Sequence, residues 1–492
     1  MLELIKKNIY YFLIGGIIIS SSCVSRKSEA PIADYPESIG KIIVGSCAIS
    51  GCHNSSGAIN AAGLDLSSWQ KLFSGARTGA AIVPYSISES FLLNFINTYP
   101  DLGPVQLPVM PPNSSILSKE EVTLLQNWVA NGAPDGKGNI AFEDPSISGV
   151  LVVNQGCDRL SLIHPQLGIV MRSFEIGLFP QVESPHQIRF RPDRKYAYIV
   201  YLFSAFVDIL DPQTRKIIGR IETTDGNWNT IVFSPDNKYA FVADFQSEGK
   251  IACLDLETNQ MIQLYQGSGY LQFPHGQALS ADGKTLFVAS QSGNFIQRLD
   301  ITDPLQPIKL SPYILDGSAQ PTTTPAQDPH ELALTPDGQY LLVTCQRTND
   351  LRIISATTGA LIKIIPVGTF PQEMVIPNVT GRNEVFITCP EDTLSFPGIQ
   401  QRGSVYVVNY LTQQVTGSFY PGFQPHGIDV DKNTGEVWVA CRNIAPNGNA
   451  PHHTTVCGDR IGYLNRFNWN TYQKINPYPI WVSVDPYGIA IP

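Results

Sequence analysis

The second part of the chain consists of a repeated unit, and this repetition restricts its fold more than any other feature of the sequence. The unit begins with a Pro-His dipeptide, or a variant of it, that leads into a short apolar run. The second residue of this dipeptide recurs at positions 186, 229, 275, 330, 372 and 426, at intervals of 42 to 55 residues. A period of about 40 to 50 residues is typical of β-propeller blades.

Each unit carries the signals of four strands. The entry run is followed by a hairpin turn such as Asp282-Gly283 and by a second apolar strand, for example residues 285–290. A third strand then leads to an Asp/Asn/Ser-x-x-Thr turn, as at residues 211–214 and 409–412, and to a fourth strand. Four strands per unit correspond to one propeller blade.

The two ends of the repeat region complete one more blade. Residues 150–177 supply later strands with no innermost strand before them, and the C-terminal segment around Ile480 has the pattern of an innermost strand. Pairing the two would close the ring and remove its open edges. We therefore predict an all-β, seven-bladed propeller over residues 145–492. Its repeats resemble those of YVTN-type propellers, a fold that does not by itself determine function.

The first part of the chain carries a different kind of motif. Cys47 and Cys52 are separated by four residues, and His53 follows directly. Covalent haem attachment needs two thiols for the thioether bonds and an adjacent histidine for the iron, usually as C-x-x-C-H. The spacing here is two residues longer than usual. A Cys47–Cys52 disulfide with an exposed His53 is the alternative.

Helical signals follow this motif. Ser67 and Ser88 each precede a short helical pattern, and Ser118 with Glu121 forms a capping box in front of a longer amphipathic helix. We therefore expect a small all-α domain over residues 38–142, so that the whole chain is a multidomain protein with an α domain followed by a β domain.

The order of these features resembles a known family. A haem motif, small helices, a Met-Pro-Pro loop at Met110 and a terminal helix with Trp128 are similar to the single-haem cytochrome c domains of bacterial envelopes. The resemblance implies a haem c attached to Cys47 and Cys52, with His53 as proximal and Met110 as distal iron ligand. Such ligation implies a low-spin, electron-transferring haem of raised potential.

The N-terminus has the pattern of an export signal. Two lysines precede an apolar run over residues 9–19, which three serines and Cys23 follow. This resembles a bacterial lipoprotein signal over residues 1–22, with Cys23 as the lipidated residue and residues 23–37 as a tether. Ser20 stands where such signals usually have an aliphatic residue, and a secreted chain is the alternative. Either interpretation exports the protein to an oxidising compartment, and the first adds a lipid anchor to a membrane of the bacterial cell envelope, facing the periplasm or the cell surface.

Composition restricts the partners. The chain has a net charge of -9, so it lacks the basic surface that nucleic-acid binding requires. Its 43% hydrophobic and 15% charged residues favour a folded core over disorder. A redox partner protein or a small-molecule substrate is the expected partner.

Histidines occupy equivalent entry positions around the predicted central channel. These are His186, His275, His330 and His426, whereas the other blades carry Asn229, Gln372 and Ile480. Converging imidazoles are suited to a second metal ion, such as copper, zinc or iron. The alternative is that Pro-His is only a consensus of the repeat. A long insertion on the same face adds His452 and His453.

The nine cysteines have different predicted roles. One is the predicted lipid site, two are predicted to attach haem, and six remain in the propeller region. Cys441 and Cys457 are predicted to close a loop as a disulfide, with a Cys/His metal site as the alternative. A bridge between Cys345 and Cys389 is a further option, and the remaining two have no evident role.

Together these features predict an envelope c-type cytochrome whose haem transfers electrons to or from a site or partner on its propeller. One alternative is an oxidoreductase with a metal or cofactor in the histidine-lined channel. Another is a binding or sensor module that carries haem. Electron transfer is favoured over the lactone hydrolysis of other seven-bladed propellers, because hydrolysis leaves the haem motif unexplained. No motif indicates quinoprotein chemistry.

Overall fold

The computed structural model describes residues 31–112, 115–178, 181–266, 271–324, 327–399, 401–442 and 462–492. Residues 31–112 and 115–142 form a helical segment. Its α-helices are α1 (Glu37–Ile42), α2 (Trp69–Leu72), α3 (Phe91–Ile96) and α4 (Lys119–Ala130). A π-helical turn (Ile43–Cys47) and two 3₁₀ turns (Ala58–Asn60 and Pro100–Leu102) connect them. None of the helices in these ranges has the length and apolar character needed to cross a membrane.

Local sequence signals position the helices. Ser118 and Glu121 form the predicted capping box of α4, since Ser118 Oγ accepts from the Glu121 N–H and the Glu121 carboxylate accepts from the Ser118 N–H. The two shorter helices begin later than predicted. Ser68, not Ser67, caps α2 by accepting from the Lys71 N–H, and α3 begins three residues after Ser88.

The helical segment has its own hydrophobic core. The buried face of α4, with Val122, Leu125 and Trp128, packs against α1 and α3. Tyr35 lies edge-on to Trp128, with 6.2 Å between ring centroids, and its hydroxyl donates to the carbonyl of Leu66. These contacts hold α1 and the motif that follows it against the rest of the segment.

The remaining chain forms seven four-stranded antiparallel sheets arranged as a β-propeller. The strands of the first three complete blades are β4 (Pro185–Phe190), β5 (Ala197–Tyr201), β6 (Ser204–Asp211), β7 (Lys216–Gly226), β8 (Trp228–Phe233), β9 (Tyr239–Asp244), β10 (Lys250–Asp255), β11 (Gln260–Gln266), β12 (Pro274–Leu279), β13 (Thr285–Ser290), β14 (Phe295–Asp300) and β15 (Ile308–Ile314). Those of the next three are β16 (Pro329–Leu334), β17 (Tyr340–Cys345), β18 (Asp350–Ser355), β19 (Leu361–Pro366), β20 (Met374–Val375), β21 (Glu384–Cys389), β22 (Ser404–Asn409), β23 (Gln414–Phe419), β24 (Pro425–Asp431), β25 (Glu436–Cys441), β26 (Gly462–Asn468) and β27 (Ile480–Val482).

The seventh blade joins both ends of the propeller, as predicted. It contains β1 (Val150–Asn154), β2 (Arg159–His164) and β3 (Ile169–Glu175), and its innermost strand is β28 (Pro486–Ala490). The sequence analysis predicts this innermost strand around Ile480, and that prediction is wrong. Ile480 lies on β27, the outermost strand of the sixth blade. Tyr487 therefore takes the seventh channel position.

A buried ion pair accompanies this closure. Arg442, directly after β25 of the sixth blade, pairs with Asp485, directly before β28, at 2.5 Å between Nε and Oδ1. Both side chains are almost completely buried. The pair therefore links the sixth blade to the strand that closes the ring.

The cysteines differ from the predicted pairing. Cys441 is free and buried, with its Sγ 3.4 Å from the carbonyl oxygen of Pro421, so the predicted disulfide with Cys457 is wrong. Cys345 and Cys389 are also free, since they lie in the cores between different pairs of blades. Cys157, one of the two cysteines without a predicted role, is disulfide-bonded.

The helical segment packs directly on the propeller. Ala80 and Val83 belong to a hydrophobic cluster that includes Val150 of β1 and Ile480 of β27. On the neighbouring surface, Phe142 contacts the ring of His164, with 5.6 Å between centroids. The contact covers the outer part of the sixth and seventh blades.

Candidate functional site

A cavity of about 700 Å³ opens in the helical segment, beside the propeller. Its lining includes all four residues that the sequence predicts around a haem: Cys47, Cys52, His53 and Met110. Most of the other lining residues are apolar, among them Leu66 and Phe95. A mostly apolar cavity with a few polar or ligating groups is the usual form of a cofactor site, and this volume lies within the range of such sites.

His53 is held in a defined tautomer. Its Nδ1 lies 3.2 Å from the carbonyl oxygen of Leu64, and a carbonyl can only accept, so Nδ1 carries the proton. The backbone N–H of His53 donates to the carbonyl of Cys47, at 3.1 Å, which fixes the turn between the two cysteines. Nε2 is then the ring nitrogen that can bind a metal, and an N–H bonded to a carbonyl is the usual support of a ligating histidine.

The two cysteines of the motif are free thiols. The disulfide alternative is therefore absent from the structure. Burial, with the nearby Cys52, raises the pKa of Cys47 to about 11, which keeps this thiol protonated at neutral pH. Both thiols line the cavity and remain available for thioether bonds.

Met110 reaches the same cavity from a separate loop. Its backbone N–H donates to the carbonyl of Phe95 in α3, at 2.8 Å, and its half-buried side chain packs against the helical core. Pro111 and Pro112 follow it in the cavity lining. The loop thus places a thioether in the cavity that His53 also lines.

Trp481 is a cavity residue that the sequence analysis missed. It lies on β27 of the propeller, and its ring is 5.5 Å from that of Tyr463 on β26. The sequence analysis assigned this segment to an innermost strand, which would have placed Trp481 near the channel. As part of an outermost strand, it instead makes the propeller one wall of the cavity.

A second group of candidate residues converges in the central channel. The four repeat histidines are at most 5% exposed, and Tyr487 is 2% exposed. The ring of Tyr487 lies between those of His186 and His426, 3.8 Å from each centroid. His275 and His330 stack at 3.7 Å. The predicted convergence of imidazoles is therefore present in the geometry.

Two glutamates that the sequence analysis missed lie in this channel. Glu331 follows His330 on β16, and Glu373 precedes β20; they are 2% and 8% exposed. Burial and the proximity of Glu373 raise the pKa of Glu331 to about 8, and burial also raises the pKa of Glu373. The Tyr487 hydroxyl donates to Glu373 Oε1, at 2.9 Å.

His164 lies outside the channel. It is the last residue of β2, and its ring contacts Phe142 of the helical segment. His452, His453, Cys457 and Cys23 lie outside the described residues. His186 fits the structural alternative, because its Nδ1 is 2.5 Å from the amide nitrogen of Gln155 in the seventh blade.

Fold and sites together define a seven-bladed β-propeller with a helical segment and a cofactor-sized cavity beside it. No family model and no curated protein matches the chain. Among solved structures, it is similar to a functionally unknown protein from Desulfotomaculum acetoxidans, with 15% identity and a TM-score of 0.53 over 70% of this chain and 98% of that one. A 6-phosphogluconolactonase candidate from Bacteroides uniformis gives 14% identity and a TM-score of 0.51, over 69% and 98%.

A third structure, dihydro-heme d1 dehydrogenase NirN in complex with DHE, covers 77% of this chain and 88% of its own, at 14% identity and a TM-score of 0.47. At these levels of identity the similarity concerns the fold alone. The function is therefore argued from the residues of the two sites.

Proposed function

We propose that the protein is a c-type cytochrome that carries one covalently bound haem in the cavity of its helical segment. The observation that carries this proposal is the convergence of Cys47, Cys52, His53 and Met110 on one cavity of about 700 Å³. The sequence motifs alone predict these residues as the haem-binding set, and Met110 is distant from the others in the chain. A chance disulfide or an isolated loop methionine does not account for their meeting.

Each residue has a distinct part in holding the group. The thiols of Cys47 and Cys52 would form the thioether bonds, and Nε2 of His53 and the thioether of Met110 would bind the iron. Such a haem would supply one-electron transfer. The apolar lining, including Leu66 and Phe95, excludes water from it, and Trp481 places the propeller in contact with the same cavity.

We further propose an exported protein that Cys23 anchors to the membrane of a bacterial envelope. The disulfide bond of Cys157 supports export, because structural disulfides persist in oxidising compartments. The electron donor or acceptor would then be an envelope protein or a small molecule that approaches the propeller.

Visible spectroscopy tests the haem directly. Protein from cells competent in cytochrome c maturation is expected to show a Soret band and, after reduction with dithionite, the sharp α band of a low-spin haem c. The double variant Cys47→Ala/Cys52→Ala is expected to retain no haem on a denaturing gel, because both attachment points are lost. Cys253→Ala is the matched control, since it removes a free, buried cysteine of the propeller. Wild-type protein without Soret absorbance would overturn the proposal.

A further inference from the structure

The central channel contains a group of metal-binding side chains that is separate from the haem cavity. One ring nitrogen each from His275 and His330 and one carboxylate oxygen from Glu331 lie within 4.8 Å of one another. All three side chains are buried. Zn²⁺ holds nitrogen and oxygen ligands at about 2.0–2.2 Å, so three ligands around one ion lie about 3.3–3.8 Å from one another. Side-chain shifts of about 1 Å would bring the group into that range.

The fold explains why a histidine and the following glutamate enter the channel together. Successive side chains of a regular strand point to opposite faces. The pairing of β16 with β17 shifts register between Pro329 and Leu332, and His330 and Glu331 are the residues within that irregularity. Such a bulge redirects side chains. The backbone N–H of Glu331 donates to Thr344 Oγ1, at 3.0 Å, which fixes it there.

Buried acidic side chains lie beside these ligands. Glu331 Oε2 is buried and, within the described residues, has no hydrogen-bond partner. Its other oxygen lies 3.6 Å from Arg189, and the carboxyl group of Glu373 lies 3.9 Å from Nδ1 of His330. A bound cation would offset the cost of ionising these buried groups. Buried carboxylates are generally paired or bound to metal, because their desolvation is otherwise too costly.

We propose that His275, His330 and Glu331 form a binding site for a divalent transition-metal ion in the propeller channel. Two imidazoles and one carboxylate suit Zn²⁺ or Fe²⁺ better than Mg²⁺ or Ca²⁺, which prefer oxygen ligands throughout. Three protein ligands also leave a coordination position open, as in catalytic zinc sites. Glu373, 3.9 Å from Nδ1 of His330, places a second carboxyl group beside the site. The Arg189 side chain is 42% exposed, so solvent reaches the neighbourhood of Glu331.

Calorimetric titration of the full-length, haem-loaded protein tests this site. After dialysis against EDTA, which leaves covalently bound haem in place, Zn²⁺ is expected to bind with one ion per chain, and Mg²⁺ is expected to give no signal. Glu331→Gln and His275→Ala are each expected to weaken Zn²⁺ binding by about 100-fold or more. His164→Ala, which removes a histidine outside the channel, is the matched control and is expected to bind like the wild type.

Glu331→Gln also distinguishes loss of the metal site from a folding defect, because it keeps the side-chain volume and removes only the buried carboxylate. Its circular dichroism is therefore expected to match the wild type. Absence of Zn²⁺ binding by the wild type, or equal binding by the wild type and both channel variants, would overturn the metal site. The Soret absorbance of the same samples reports the haem independently. Zn²⁺ binding by a preparation without haem would therefore support the metal site and contradict the cytochrome proposal alone.

Discussion

Met110 is the residue expected to set the reduction potential of the proposed haem. If the haem is bound as proposed, the variant Met110→Leu keeps both attachment cysteines but loses the thioether that favours reduced iron. The potential is therefore expected to fall, within the range of about 0.8 V over which axial ligands set haem potentials. Spectroelectrochemical titration of wild type and variant measures this difference.

Met261 on β11 provides the control. It is a partly buried methionine in the propeller, remote from the cavity lining. Met261→Leu is expected to leave the potential unchanged. An unchanged potential in Met110→Leu as well would reject Met110 as the axial ligand.

Only some of the channel residues are predictable from the sequence. His275 and His330 were predicted because the repeat places them in register. Glu331 was missed, because strand alternation predicts that it faces away from its neighbour, and the shifted pairing of β16 cancels that alternation. A signal was nevertheless present. A glutamate follows the channel position in two adjacent repeats, as Glu331 and Glu373, whereas the strand pattern does not require one.

The capping box of α4 provides a test at the level of one element. Ser118→Ala removes the acceptor of the Glu121 N–H and leaves an unsatisfied donor at the helix start. We expect the helical segment to lose about 1 kcal/mol of its free energy of unfolding. Urea denaturation followed by helical circular dichroism measures it. Ser88→Ala, at an exposed serine outside any helix, is expected to change stability by less than about 0.5 kcal/mol. Equal losses in the two variants would contradict the capping role.

Helices and strands are predicted best where the sequence signal involves only a few neighbouring residues. The capping box involves only four residues, and the structure matches it. The starts of α2 and α3 were placed too early, because adjacent serines offer several caps and tertiary packing selects among them. Ser68 is selected for α2, where its extended backbone aligns Oγ with the Lys71 N–H. The strands of the blades are easier to predict from the sequence, since a hairpin turn lies at each end of most of them.

At the scale of the whole molecule, the ring was predicted to close between its two ends, but with the wrong strand. The Pro-Tyr-Gly sequence at Tyr487 matches the Pro-His-Gly sequences at His275 and His426, with tyrosine in place of histidine. A repeat pattern defined by histidine does not include this sequence. Glycine was the more reliable signal, because at these positions neighbouring innermost strands approach each other closely. A Cβ on Gly427 would lie 1.8 Å from the carbonyl oxygen of Tyr487.

This close approach predicts that Gly427→Ala opens the ring. The added methyl group would meet the backbone of the closing strand β28, which cannot move aside as a flexible side chain could. We expect the free energy of unfolding of the propeller to fall by at least about 2 kcal/mol, as for overpacking in a tightly packed core. Urea denaturation followed by tryptophan fluorescence measures this loss. Gly398→Ala is the matched control, because its Cβ would meet no atom within 4 Å. If the two variants were equally stable, contact between β24 and β28 would not be what holds the ring closed.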